Sequence, residues 1–537
     1  MLLAVTAALL LGGSVCAPAP DDHFAQAVAG LAADNFPDKA AAVTALSELR
    51  HPRSRAVLVA LLDGKLYARV ADNKVFITDG SAASLALIDP LTLAAAGSGK
   101  PDDFSRITTN NSLRKTLRSA VASFALADPE PDVRLAAVKE MLRSLDEDSV
   151  AVLRAGLEKE KDAHVQQAMR AGLALVDLDN SDAQVRLAAA QSLKGTLNPD
   201  VYNRLSTMIT PAADGSYPEP DLAVRNAARA VIASIDSSRR VYSTVETLFF
   251  GLSLGSVLVL AAIGLAITFG VMGVINMAHG ELMMLGAYCT YGVQWLLPNQ
   301  IGASVLIAIP LAFLVAGLVG VIIERTIVRF LYGRPLETLL ATFGVSLILQ
   351  QIVRDRVSAN NVPVETPAWM SGSLQINEAL SFTYNRIYVL LFMVIVFTTL
   401  QIVMKKTTLG LKVRAVAQNR NMARAMGVRT QWVDAMTFGL GSGIAGVAGV
   451  ALSQLTNVGP NLGQQYIIDS FMVVVFGGVG NLWGTLVSGL SLGIVNKVLE
   501  PWAGAVLAKV FVLVALILFV QRRPRGLFPQ KGRAAEG

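Results

Sequence analysis

Charge is scarce in this chain. Asp, Glu, Lys and Arg make up 16 % of its 537 residues and hydrophobic residues 53 %, against about 25 % charged in an ordinary soluble protein. That balance excludes a chain exposed to water along its whole length. Cysteine is scarcer still: Cys16 and Cys289 stand alone, which excludes a disulfide framework and a cysteine metal site. Of the four histidines, His23, His51 and His164 fall in ordinary helical surroundings, and neither a Ser/His/Asp set nor metal-ligand spacing accompanies them. No enzymatic activity is expected, and no cofactor. A nucleotide loop is missing too. The GSGK at 97–100 has Ala94 where a Walker A loop needs glycine and Pro101 where it needs Ser or Thr, so it reads as a turn.

The charge that is present is unevenly placed, and it divides the chain. Residues 1–19 form an apolar run ending in small residues and APAPDD, which reads as a signal sequence, with an uncleaved anchor as the alternative. Residues 20–240 carry charges every few positions over an Ala/Leu pattern of helical period. A phrase recurs there: DVRLAAVKEML from Asp132, DAHVQQAMRAGL from Asp162, DAQVRLAAAQSL from Asp182 and DLAVRNAARAVI from Asp221. It resembles irregularly spaced HEAT-type repeats, whose helix pairs stack face to face. Between Asn73 and Asn111 the phrase is interrupted, with KVFIT as a strand and GSGKPDD as a loop.

From 241 to the C-terminus the chain reads as an all-α polytopic membrane protein. Residues 247–280 contain no Asp, Glu, Lys or Arg. As one helix they would reach roughly 51 Å, far beyond a ~30 Å hydrocarbon core, so the run must bend back. Residues 282–323 add a second uncharged stretch, divided at Pro298-Asn299, and further runs cover 338–353, 387–404, 435–468 and 470–496 before a last span at about 503–521. With the repeat region exported, 15 Lys and Arg fall in loops and tail on the cytoplasmic side against four outside. The number of crossings is then odd, seven or nine according to whether 466–496 holds a re-entrant pair or two spans.

Three features of this half carry polar or glycine-rich chemistry. In VINMAHGELMMLGAY, Asn276, His279 and Glu281 stand where the long run must break, with Gly273 and Gly280 available to unwind the backbone. Polar groups at membrane depth are costly and line wet paths or satisfy a helix break; both readings are open from the residues alone. The basic stretch 407–431 reads as a short amphipathic helix bracketed by Gly410 and Gly427, with Leu411, Val413, Ala417 and Met422 on one side, or else as a solvated loop that only sets topology. In 457–485, Asp469 is a lone acid, and glycines 477, 478, 480 and 484 favour a tightly packed broken hairpin or a packing corner. GSGIAG from Gly441 matches GxGxxG in form, but no strand precedes it. Gly439, Gly443, Gly446 and Gly449 read instead as a helix-packing face.

On GVINMAHGELMMLGAY, YGRPLETLLATFGVSLILQQ, VRAVAQNRNMARAMGV, DAMTFGLGSGIAGVAGVALSQLTNVGP, IIDSFMVVVFGGVGNLWGT, NKVLEP and QRRPRGLFPQKGR, the membrane half resembles ABC importer permeases of the branched-chain amino acid type. The RPLETLLATFG, NVGP and SFMVVVFGGVGNLWG phrases favour its urea-importing branch. The resemblance implies a permease subunit in a bacterial inner membrane, repeat domain periplasmic and C-terminus cytoplasmic. It would move urea, or alternatively branched-chain amino acids or short amides, by alternating access. It also implies partners: a paralogous permease, two cytoplasmic ATPases that bind the ATP, and a periplasmic solute-binding protein. Asn276, His279, Glu281 and Asp469 become candidates for the translocation path. The basic loop would supply the ATPase-coupling helix, with Arg414, Ala415, Ala423 and Gly427 in that role, although Val416-Ala417 stands where the family's loop motif is acidic. For the repeat domain the expectation is a scaffold or a platform for the binding protein. A receptor anchored by its membrane half is the competing class, and so many glycine-broken spans with polar groups between them argue against it.

Overall fold

The computed structural model describes residues 20–78, 85–142, 147–377 and 379–528. The signal-sequence reading of 1–19 and the end of the basic tail lie outside them. The chain divides into two compact units, Met1–Ser237 and Ser238–Gly537.

The first unit opens with helices α1 (Pro20–Gly30), α2 (Phe36–Leu49) and α3 (Ser54–Leu62). An antiparallel five-stranded sheet follows: β1 (Leu66–Arg69), β2 (Val75–Thr78), β3 (Leu85–Ile88), β4 (Ala95–Gly99) and β5 (Phe104–Arg106), in the order β4-β3-β2-β1-β5. The sheet departs from an all-α expectation. KVFIT forms β2 as read, but Gly97–Gly99 of the supposed loop pairs with β3, leaving only Lys100 and the single 3-10 turn Pro101–Asp103 outside the ladder. Helices resume with α4 (Asn111–Ala125), α5 (Pro131–Leu142), α6 (Glu147–Leu157), α7 (Ala163–Asp177), α8 (Ala183–Ser192) and α9 (Pro199–Ile209), and with the start of α10 (Leu222–Met272).

The recurring phrase has a physical meaning here. In three of its four copies the Asp caps the helix it precedes: Asp162 accepts from the amides of His164 and Val165, Asp182 from Gln184, and Asp221 from Ala223 and Val224, whereas Asp132 lies in the first turn of α5. Its valine is buried or half-buried in the core. Its Arg turns back and binds the loop before its own helix. Arg134 donates to the carbonyls of Asp128 and Pro129 at 2.8 and 2.9 Å, and Arg186 to those of Asn180 and Ser181 at 2.8 and 2.9 Å. Each also forks onto a buried acid ahead of a later repeat, Arg134 onto Glu160 and Arg186 onto Glu219. At the position where the phrase has Gln166, its amide takes the Glu160 carbonyl at 2.6 Å. The irregular spacing of 30, 20 and 39 residues is thus absorbed by loops while the stitch is kept.

The second unit holds the rest of α10, then α11 (His279–Leu296), α12 (Ile301–Thr326), α13 (Pro335–Arg356), a hairpin of β6 (Ser373–Asn377) and β7 (Leu380–Thr383), α14 (Tyr384–Lys406), α15 (Thr408–Gln418), α16 (Arg420–Ala425), α17 (Thr430–Ser453), α18 (Leu462–Gly477) and α19 (Leu482–Arg522). Six of these helices, α10, α12, α13, α14, α17 and α19, are long and apolar enough to cross a membrane. The architecture is therefore that of a polytopic helical membrane protein. Helix α18 is shorter, at 16 residues or about 24 Å. Helix α19 is interrupted at Gly504 (φ 76°), and its end returns to the turn from which it started. There Leu527 and Phe528 donate to the carbonyls of Phe476 and Gly477 at 2.9 and 3.2 Å.

Close helix approach is what the glycines of this unit provide. A methyl group built on Gly286 of α11 would lie 1.9 Å from the carbonyl oxygen of Gly446, and one on Gly446 would meet the Ala312 carbonyl of α12 at 2.5 Å. Helix α17 is thereby clasped between α11 and α12, and GSGIAG is a packing face. Gly477 and Gly484 bring α18 against α19 in the same way.

The repeat stitch carries a pH signature. Hydrogen bonds from Arg134, aided by the amides of Asp162 and Lys161 and opposed by desolvation, hold the Glu160 carboxyl down from 4.5 to about 2. A lowered folded-state pKa contributes stability that is full above the unfolded value and is lost as pH falls through the folded one. Amide protection factors over α5–α7 in the full chain, taken against the intrinsic exchange rate at each pH, should therefore fall between pH 4.5 and about 2. Glu160→Gln should abolish that dependence; exchange that keeps the same pH profile in the variant would contradict the assignment.

Candidate functional site

Helix α10 ends at Met272, and Gly273 reverses the chain with φ 67°, a value that favours glycine. Residues 274–278 are not helical, and α11 begins at His279 beside Ala261, well back along α10. The expected break thus lies inside the bundle. Asn276, His279 and Glu281 are all buried there, at 0, 0 and 1 % exposure. The Asn276 side chain accepts from the Ala278 amide at 3.0 Å, closing the turn into α11. His279 Nε2 donates to the Ala261 carbonyl at 2.9 Å, which stitches α11 to α10 and fixes the proton on Nε2.

A broken segment at this depth needs partners for its backbone, and α13 supplies them. Thr338, Thr342, Ser346, Gln350 and Arg354 follow one another at intervals of four and so share a face. The first four are buried. Thr338 bonds to the carbonyls of Leu331 and Arg334. Thr342 accepts from the Met277 amide at 3.1 Å. Ser346 and Gln350 donate to Glu281 Oε1 at 3.1 and 2.7 Å. Arg354, one turn further, donates to Asn461 ahead of α18 at 2.8 Å. The polar ladder was visible in the sequence as a four-residue polar period inside the uncharged run 338–353; what could not be read there was which segment it faces.

Three polar atoms of this cluster have no hydrogen-bond partner: Asn276 Nδ2, His279 Nδ1 and Glu281 Oε2. A buried polar atom left unpaired costs about 1–3 kcal/mol. One donor and two acceptors left open in one place suit a small solute that carries both kinds of group. Asp469 does not join them. Its carboxylate is held by Lys509 of α19 at 2.9 Å, so it acts in the α18–α19 hairpin.

The basic stretch is not one amphipathic helix. It breaks at Asn419, whose side chain caps α16 by accepting from the Met422 amide at 2.9 Å. Val413, Val416 and Ala423 point inward, whereas Leu411 and Met422, expected on their face, are exposed, as is Met426 at 79 %. Leu411 and Val413 lie two positions apart in α15, about 200° around the helix, and so face opposite ways, while the break at Asn419 puts Met422 on a separate helix. Of the coupling candidates, Arg414 is exposed and donates to the Met404 carbonyl, Ala415 is half-buried, Ala423 is buried, and Gly427 turns the chain with φ 86°. Arg420, which sequence reasoning passed over, forks onto Asp434 of α17 (Nη1 to Oδ1, 3.1 Å) and lies 3.9 Å over the Tyr332 ring.

Residues 247–521 match the family described as "Branched-chain amino acid transport system / permease component". The high-affinity branched-chain amino acid transport permease BraD of Pseudomonas aeruginosa is 30 % identical over 53 % of this chain and 96 % of its own length. LivH of Salmonella typhimurium is 29 % identical over 53 % and 94 %. A ribose import permease, RbsC of Escherichia coli, is 25 % identical over 50 % and 82 %. All three cover about half of this chain, and the family match lies within the second unit.

Glu281 holds two donors on one oxygen, and their loss should be felt unequally. Gln350→Leu should destabilise the chain by about 1–3 kcal/mol, because it strips a buried acceptor of its shorter bond. Gln350→Leu combined with Glu281→Leu should cost less than the sum of the single changes. Thermal unfolding in detergent completes the cycle, and strict additivity would contradict the pairing.

Proposed function

We propose that this chain, which belongs to the family of branched-chain amino acid transport system permease components, is the membrane subunit of an ATP-driven importer working by alternating access. The observation that carries this is the broken segment 273–278, with three unpaired polar atoms gathered at bundle depth. The helix break gives a solute unpaired polar contacts at bundle depth. The motor is a separate ATPase pair, docked on the exposed side chains of α15 and α16, and a related permease completes the membrane part. A solute-binding protein delivers the cargo at the opposite end, and the repeat unit serves as scaffold or platform on that side. Positive charge concentrated in 405–431 and the tail supports this orientation in a bacterial inner membrane.

For the cargo, the names of the relatives support a branched-chain amino acid rather than the urea that the sequence phrases favoured. The site fits that change. Urea needs only neutral donors and acceptors, whereas a zwitterion needs fixed charges of both signs. The ladder on α13 has Gln350 on the Glu281 carboxylate and places Arg354 one turn, about 6 Å, further along the same face. Glu281, with Oε2 unpaired, suits an ammonium group, and Arg354, exposed and donating to Asn461, would exchange that partner for a carboxylate.

In a strain lacking the gene, uptake of labelled leucine should fall while urea uptake is unchanged. Plasmid-borne wild type should restore it, and Asn276→Leu should not, although the variant reaches the membrane in equal amount. Loss of urea uptake with leucine uptake intact would reverse the cargo assignment.

A further inference from the structure

At the end of the second unit that carries the basic stretch, two buried acids stand near one arginine. Helices α12 and α17 pack closely: a methyl group on Gly320 would lie within 2.4 Å of the Ser442 side chain and 3.4 Å from the Phe438 carbonyl. One turn further along α12 comes Glu324, and one turn back along α17 comes Asp434. Their side chains are only 3 and 4 % exposed. Asp434 is satisfied by the Arg420 fork. Glu324 is not: its Oε2 has no hydrogen-bond partner, and the cation nearest to it, Arg325 Nε, is 3.6 Å away with its guanidinium 5.4 Å over the Trp432 ring. Arg420 acts electrostatically on both acids.

Arg420 belongs to neither helix. It is the first residue of α16, immediately after the break at Asn419, and the Tyr332 ring covers its guanidinium from the connection after α12. A buried carboxylate with no hydrogen-bond donor and Arg325 as its nearest counter-charge is costly. Beside a movable guanidinium it amounts to a second station for that cation. We propose that Arg420 is a transmission residue with two alternative partners, Asp434 as seen here and Glu324 after α16 shifts along α12, and that this exchange carries movement of the basic loop into the α12–α17 pair. The inference rests on the reading of that loop as the ATPase contact. It makes Arg420 and Glu324 positioning residues that touch neither cargo nor nucleotide. Interfaces with two discrete arrangements are how small shifts become global ones.

The test uses the whole transporter, with its ATPase and binding protein, in proteoliposomes, and reads ATP hydrolysed per solute imported. Glu324→Gln removes a buried charge that has no hydrogen-bond donor, so the chain should fold and assemble about as well as wild type. Hydrolysis should continue within about twofold while uptake falls at least about tenfold, in the range of ordinary coupling energies. Arg420→Ala should raise the same ratio, and Arg420→Lys should restore part of the loss, since it keeps the charge but not the fork. A wild-type ratio in Glu324→Gln would overturn the exchange. So would loss of the ATPase from either variant on co-purification, because that assigns the pair to docking. A wild-type assembly that hydrolyses ATP and imports no solute would instead remove the transport reading on which the inference stands.

Discussion

The membrane half is governed by the cost of interrupting a helix where no water can satisfy the freed backbone. Residues 273–278 incur that cost, and α13 offsets it. Thr342 takes the Met277 amide, and Ser346 with Gln350 holds Glu281. Because the ladder sits on one face of α13, it satisfies the break without surrounding it. Asn276, His279 and Glu281 each keep one atom open. The same constraint explains why α13 carries so many polar side chains: as a purely apolar span it could not support the segment beside it.

Such a site needs rigid neighbours, and the glycines provide them. Helix α17 touches α11 and α12 through backbone atoms, at Gly446 against Gly286 and against Ala312. Contacts of this kind resist sliding, because a side chain added at either position has nowhere to go. Movement is then directed to elements held by polar side chains rather than by backbone. The α16 attachment through the Arg420–Asp434 fork is one of these. The first unit follows a different rule. Its Arg134–Glu160 and Arg186–Glu219 forks fasten helices through their loops, which suits an irregular array with small Ala-rich cores.

Much of this was legible in the residues. The uncharged run at 247–280 was too long to cross once, so its break was required by length alone, and Asn276, His279 and Glu281 were found by being polar where the break had to fall. The glycine face of α17 was read from spacing. Other features depended on tertiary partners that spacing does not reveal. The five-stranded sheet extends into Gly97–Gly99 because β3 lies alongside it, not because Gly-Ser-Gly favours a strand. Asp469 pairs with Lys509, 40 residues away, a partner that spacing does not reveal. The expected face of the basic stretch fails within α15, where Leu411 and Val413 point opposite ways, and again at Asn419, which caps a second helix; Arg420 pairs with an acid on another element.

The central claim is that the broken segment faces a path opened in turn to each side of the membrane. Solvent access at Asn276 tests it most directly. With Cys16 and Cys289 replaced by serine, Asn276→Cys in the assembled transporter is treated with a membrane-impermeant thiol reagent from one side at a time. The account predicts labelling from one side without nucleotide and from the other with ATP trapped in the motor. A thiol that stays unreactive from both sides in both states would contradict it.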